Sequence, residues 1–213
     1  MTRGTVRTGI PIRPGPEHPG PMADTTAQKS MSIPLTAFGA GAVVALLVGV
    51  FGRIHEPTLA GTTTLGYQTV LEMKTAVALL IAPLVVLQVI GALWMYGKLG
   101  IRSPSWVGTA HRSIGALALL LSLFVAYHCL WSLGLEVGTL PDGEPVSTRT
   151  LVHGLVGCAV MGAIVVKIVA VRSRRAPGWF LPVAGGLLFS LLVLAILTSA
   201  VWYIGARGMP RMG

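Results

Sequence analysis

The chain has 213 residues, 53% of them apolar and only 11% charged, against about 25% charged in an average soluble protein, which argues against a water-soluble globular domain. Sixteen Lys and Arg against seven Asp and Glu give a net charge of +9. In a soluble protein that balance would point to nucleic acid, but here membrane topology competes for the explanation.

Residues 1–33 are rich in Pro, Gly, Thr and Arg and contain no apolar core of signal-peptide length, so they are expected to form a disordered cytoplasmic tail. Met22 offers a second candidate translation start. Five apolar stretches follow, at about 34–52, 75–96, 114–135, 151–171 and 180–204, each near the roughly 20 residues that cross a bilayer core as a helix. Pro, Gly and charge separate them, as in PDGEP at 141–145 and RSRRAPG at 172–178. The expected architecture is an all-α, five-helix membrane domain over 34–206 with a short tail at 207–213.

Cytoplasmic segments carry the excess of Lys and Arg. With the N-terminus inside, the inner segments hold ten: Arg3, Arg7, Arg13, Lys29, Lys98, Arg102, Arg112, Arg172, Arg174 and Arg175. The outer segments hold five: Arg53, Lys74, Arg149, Arg207 and Arg211. N-terminus in and C-terminus out is therefore the expected orientation, in a bacterial inner membrane. Starting at Met22 narrows the margin to seven against five. The basicity is thereby read as an orientation signal, and no nucleic-acid partner is expected.

Four of the five histidines, His55, His111, His128 and His153, lie in or at the ends of spans, while His18 lies in the tail. An ionisable group at membrane depth is a functional-site hypothesis by default. If helices three and four form an antiparallel hairpin ending at Leu135 and Ser147, the latter a plausible N-cap, the hairpin centres on residue 141 and His128 and His153 fall level. Centring on 143 instead offsets them by about 7.5 Å. Two level imidazoles on neighbouring helices suit axial ligation of one haem b. Gly154 and Gly157 would leave room for the macrocycle, with Phe124 and Trp131 sharing the face of His128 and Arg53 available to a propionate. His55 is a candidate quinol-site residue or replacement ligand. The bland alternative is that the histidines hydrogen-bond helix to helix.

His111 lies 17 residues before His128, about 25 Å along a helix, so it belongs to the inner interface. With Arg112 and Lys167 it forms a candidate site for an anion or quinone, although interfacial His, Arg and snorkelling Lys need no ligand. Cys129 and Cys158 form no CxxCH motif and read best as small hydrophobes. Gly39, Gly41, Gly185 and Gly186 permit close helix contact. Gln88, Thr198 and Ser199 suit a hydrogen-bonded interior. Trp94, Tyr96, Trp106, Trp131, Trp179, Trp202 and Tyr203 suit an aromatic belt.

The stretch HRSIGALALLLSLFVAYHCLW, residues 111–131, resembles the membrane segment of ferric-reductase-like and cytochrome b561-like proteins, in which an HR..G start leads to a second histidine on the same helix. The likeness covers helices three and four. It departs from those families in its wide spacing and in having a single histidine, His153, on helix four. The whole pattern, with GRIHEPT, AYHCLW, PGWFLPVAGG and TSAVW, resembles a bacterial family of five-span membrane proteins with no activity attached to it. The resemblance implies a b-type cytochrome subunit that passes electrons through one haem, held by His128 and His153, between a quinol or redox protein and a partner. No P-loop, dinucleotide fingerprint or nucleophile-base arrangement is present, so electrons would have to come from outside the chain. The alternative expectation is a cofactor-free scaffold or assembly protein.

Overall fold

The computed structural model describes residues 22–138 and 143–213. It is all-helical: α1 Met22–Ile54, α2 Val70–Met95, α3 Val107–Ser132, α4 Thr148–Arg172 and α5 Phe180–Ile196, which continues through a π-helical turn, Leu197–Val201, into α6 Trp202–Arg207. Five segments are long and apolar enough to cross a membrane, Met31–Ile54, α2, α3, α4 and Phe180–Arg207.

Helix ends differ from the expected spans in instructive ways. Residues 22–33, expected as disordered tail, are helical and run through Pro34 without a break; residues 1–21, with His18, lie outside the described residues. α2 starts at Val70 rather than Thr75 because Thr69 and Glu72 form a capping box. The Thr69 hydroxyl accepts from Glu72 N (3.2 Å) and the Glu72 carboxylate accepts from Thr69 N (3.1 Å). Ser147 caps α4 as expected, its hydroxyl accepting from Thr150 N (3.2 Å). α3 ends at Ser132 rather than 135, because Gly134 adopts φ +68° and returns its N–H to Cys129 O.

The helices form a ring in the order α1, α4, α5, α2, α3, with α3 returning to α1 only at a few points. α3 and α4 are therefore not packed side by side, although their facing ends, Ser132 and Thr148, still centre on residue 140, close to the centre that levels His128 with His153. Two apolar cores stitch the ring. One joins Ala37, Val166, Ala170, Phe180 and Ala184 across α1, α4 and α5; the other places Met73, Val77, Ile81 and Val85 of α2 against Phe124, Leu121 and Leu192. α1 and α4 approach closely at Gly41 and Gly162, where a Cβ on Gly41 would sit 2.7 Å from the Gly162 carbonyl oxygen. Of the other glycines expected to serve packing, Gly39 and Gly186 have no neighbour near their missing Cβ, and Gly185 faces Lys167.

The ends of α1, α3 and α6 and the starts of α2 and α4 share one end of the bundle, hereafter the capped end. There the terminal segment is tied back to the α1–α2 loop. Gln68 N donates to Arg211 O (3.3 Å), Gly213 N donates to Gly66 O (2.9 Å), and Tyr67 bridges to Met212.

Gly162→Val is expected to force α1 and α4 apart and cost about 1–3 kcal/mol. Thermal unfolding in detergent should show the loss, while Gly186→Val, in open space, should be near neutral.

Candidate functional site: a cavity inside the helix ring

A cavity of about 530 Å³ occupies the centre of the ring and is lined from all five helices. Its deep part is apolar, with Ala78, Ile81, Val160, Met161 and Leu192. Its polar part lies towards the capped end, with Lys74, Thr75, Arg149, His153, Ser199 and Tyr203, and with Glu136 and Arg207 exposed at the rim.

Lys74 is 6% exposed, and it makes no hydrogen bond and no ion pair among the described residues. The capping box puts it there: once α2 begins at Val70, Lys74 is a full turn inside the helix and faces the ring interior. Arg149 sits in the first turn of α4. Its guanidinium donates to Thr198 O (2.8 Å) and Thr150 Oγ1 (3.2 Å) and lies 3.6 Å from the centre of the Trp202 ring. A π-turn widens the helix by one residue and loosens its carbonyl pairing. Arg149 meets one of these carbonyls, so α4 is pinned to the π-turn.

His153 also reaches that turn. The Thr198 hydroxyl donates to Leu194 O (2.7 Å), so it accepts from His153 Nδ1 (3.0 Å). That leaves Nε2 with no hydrogen bond among the described residues, on a side chain that lines the cavity. Lys74 and Arg149 both lie within electrostatic reach of His153.

His128 is elsewhere. It is 2% exposed and does not line this cavity. Nδ1 donates to Phe124 O (2.9 Å) and Nε2 accepts from Thr63 N (3.2 Å). One neutral tautomer satisfies both bonds, and no ring nitrogen is left for a metal. The motif AYHCLW is a clasp for the α1–α2 loop. Beside the His128 bond, Tyr127 Oη donates to Gly61 O (3.2 Å), Trp131 Nε1 donates to Ala60 O (2.7 Å), and Trp131 O accepts from Thr58 N (3.1 Å). His55 completes the clasp, donating from Nε2 to Trp131 O (3.2 Å) between the rings of Phe51 and Trp131.

These placements test the expected haem site. Its two axial donors are not brought to one space, and one of them has both nitrogens engaged. Phe124 packs on the His128 ring at 4.4 Å rather than lining the cavity, and Arg53 is exposed on a different, lateral groove. Gly157 does open onto the cavity, but the space at Gly154 is filled by Leu135. The chain as folded does not fit a bis-histidine haem. Among the described residues no group of three or more His, Cys, Asp and Glu is placed to hold a metal ion. Cys129 and Cys158 are free thiols.

At the opposite end, His111, Arg112 and Lys167 are near one another but turned to different neighbours. His111 packs on Gly91 and its backbone carbonyl accepts from Gln88 Nε2 (2.7 Å); its Nδ1 is buried without a partner. Arg112 donates to Thr109 Oγ1 (3.4 Å), and the Lys167 ammonium lies against Gly185 of α5. The three do not converge on one pocket.

Lys74 and Arg149 were counted in the sequence as outer-loop charges, and they are the residues that sequence reasoning missed. The signal was present in TVLE at 69–72, which fits the capping-box pattern and moves the start of α2 by five residues.

His128→Ala is expected to destabilise the protein by about 1–3 kcal/mol through the stranded Thr63 N–H. Hydrogen exchange at residues 58–63 should accelerate in that variant and stay unchanged in His153→Ala. A Soret band lost in both variants would overturn the assignment of His128 to the clasp.

No curated protein and no solved structure matches the chain. Residues 33–211, which take in all five membrane-length segments apart from the first residues of α1, match DUF6529, a family of unknown function, and the chain belongs to that family.

Proposed function

We propose that the protein is a membrane-embedded binding protein that takes an amphiphile from the surrounding bilayer into the central cavity. The carrying observation is the form of that cavity, apolar in the depth of the ring and polar at the capped end, with a volume in the range typical of pockets that enclose a small ligand. The positive-inside count puts the capped end outside, so the ligand's polar head would sit towards the outer face. His55, His128 and His153 serve this reading as contacts that hold helices and loop in place, and His153 also lines the cavity.

A lateral groove on the α1–α4 face supports access from lipid. It measures about 580 Å³, is lined by Gly49, Val50, Leu155 and Ala159, and has Arg53 at its rim. Leu135 and Cys158 line both groove and cavity, so they form the wall between the two. The Leu135 side chain fills the notch left by Gly154 and approaches Gly49 and Gly52, while its N–H donates to Gly52 O (2.6 Å). A loop side chain held in a notch of glycines can withdraw without moving a helix.

Full-length protein purified in mild detergent is expected to retain a lipid-soluble molecule in native mass spectrometry. Leu135→Ala should speed exchange of that molecule with added amphiphile, and Leu135→Trp should slow it. Ligand-free protein that takes up no added amphiphile would overturn the proposal.

A further inference from the structure

We infer that the ligand of the central cavity is an anion, an amphiphile whose carboxylate or phosphate head is held by Lys74 and Arg149. This rests on the reading of the cavity as an amphiphile site and names its chemical class. A cation that opens into a cavity between apolar helices without a counter-ion favours an anionic occupant, because charges away from bulk water in proteins are almost always paired. Lys74 has only 6% of its surface exposed, lines the cavity and has no carboxylate within ion-pair distance among the described residues. The one acid on the lining, Glu136, is exposed at the rim.

Three further features lean the same way. The contacts of Arg149 with Thr198 O, Thr150 Oγ1 and the Trp202 ring are all to neutral groups, so none of them is a counter-ion. Arg207 adds a third cation at the rim. The first turns of α2 and α4 both lie at this end, so the positive ends of two helix dipoles flank the head-group position. His153 Nε2, as an acceptor, suits a hydroxyl on the same head. The cavity's size suits a single aliphatic chain rather than a two-chain phospholipid.

The test is competition against tritiated stearate bound to full-length protein in detergent, using octadecanol, 1-stearoyl lysophosphatidate and decylubiquinone. Charge-assisted hydrogen bonds predict that stearate or lysophosphatidate competes about tenfold or more better than octadecanol, and which of the two does so identifies the head. Lys74→Met should erase that preference, and Lys74→Arg should keep it. Equal competition by octadecanol, or stronger competition by decylubiquinone, would overturn the anion while leaving amphiphile binding intact. Failure of stearate to bind, with no competitor bound in native mass spectrometry either, would overturn both. The comparison of acid with alcohol in the unaltered protein holds even where Lys74→Met fails to fold.

Discussion

The arrangement of this protein turns on positive charge kept inside a ring of apolar helices. Lys74 and Arg149 each sit one turn or less from a helix start, and each of those starts is fixed by a side-chain cap, Thr69 with Glu72 for α2 and Ser147 for α4. The caps decide how deep the cations lie. Without them, both side chains would belong to loops and would be hydrated at the interface, where long cationic side chains normally rest. With them, α2 and α4 carry charge into the ring, and the π-turn of the last helix meets Arg149 from the other side. The cavity is therefore an electrostatic feature as much as a void.

The capped end shows how a membrane protein accounts for irregular backbone. The α1–α2 loop runs over the ends of helices, where an unpaired N–H or C=O is costly. Tyr127, His128 and Trp131 lie within a little over one helical turn of α3, and each reaches a backbone group of residues 58–63. The terminal segment adds its own bonds to residues 66–68. The loop is thereby fixed over the helix ends, while Leu135 stands at the side of the ring between cavity and groove.

The number and type of helices were legible in the sequence because about 20 apolar residues in a row leave few alternatives. Ser147 was legible as a cap for the same local reason. Sequence distance fixes depth along a helix but not which helices touch: α1 packs between α4 and α3, so these two are consecutive in sequence without packing side by side, and His128 and His153 meet different neighbours. The histidine of AYHCLW spends both ring nitrogens on backbone groups, Phe124 O and Thr63 N, a use that the sequence does not signal. Lys74 escaped notice because hydropathy places its boundary at Thr75, whereas the decisive signal was a four-residue cap upstream. Gly41 was read as a packing residue, but its partner Gly162 lies on a helix distant in sequence and no local pattern points to it.

The π-turn at Leu197–Val201 has a consequence for the register of everything beyond it. A π-turn holds one residue more than an α-turn, and each residue turns a helix by about 100°. Trp202, Tyr203 and Arg207 line the cavity beyond that turn. Tyr203 is buried there. The last helix thus carries one wall of the cavity across the turn, with Leu192, Ala195 and Ile196 before it and Ser199 within it. Removing a single residue at this point would leave composition and hydropathy almost untouched and yet rotate Trp202, Tyr203 and Arg207 by about 100° relative to the lining before the turn.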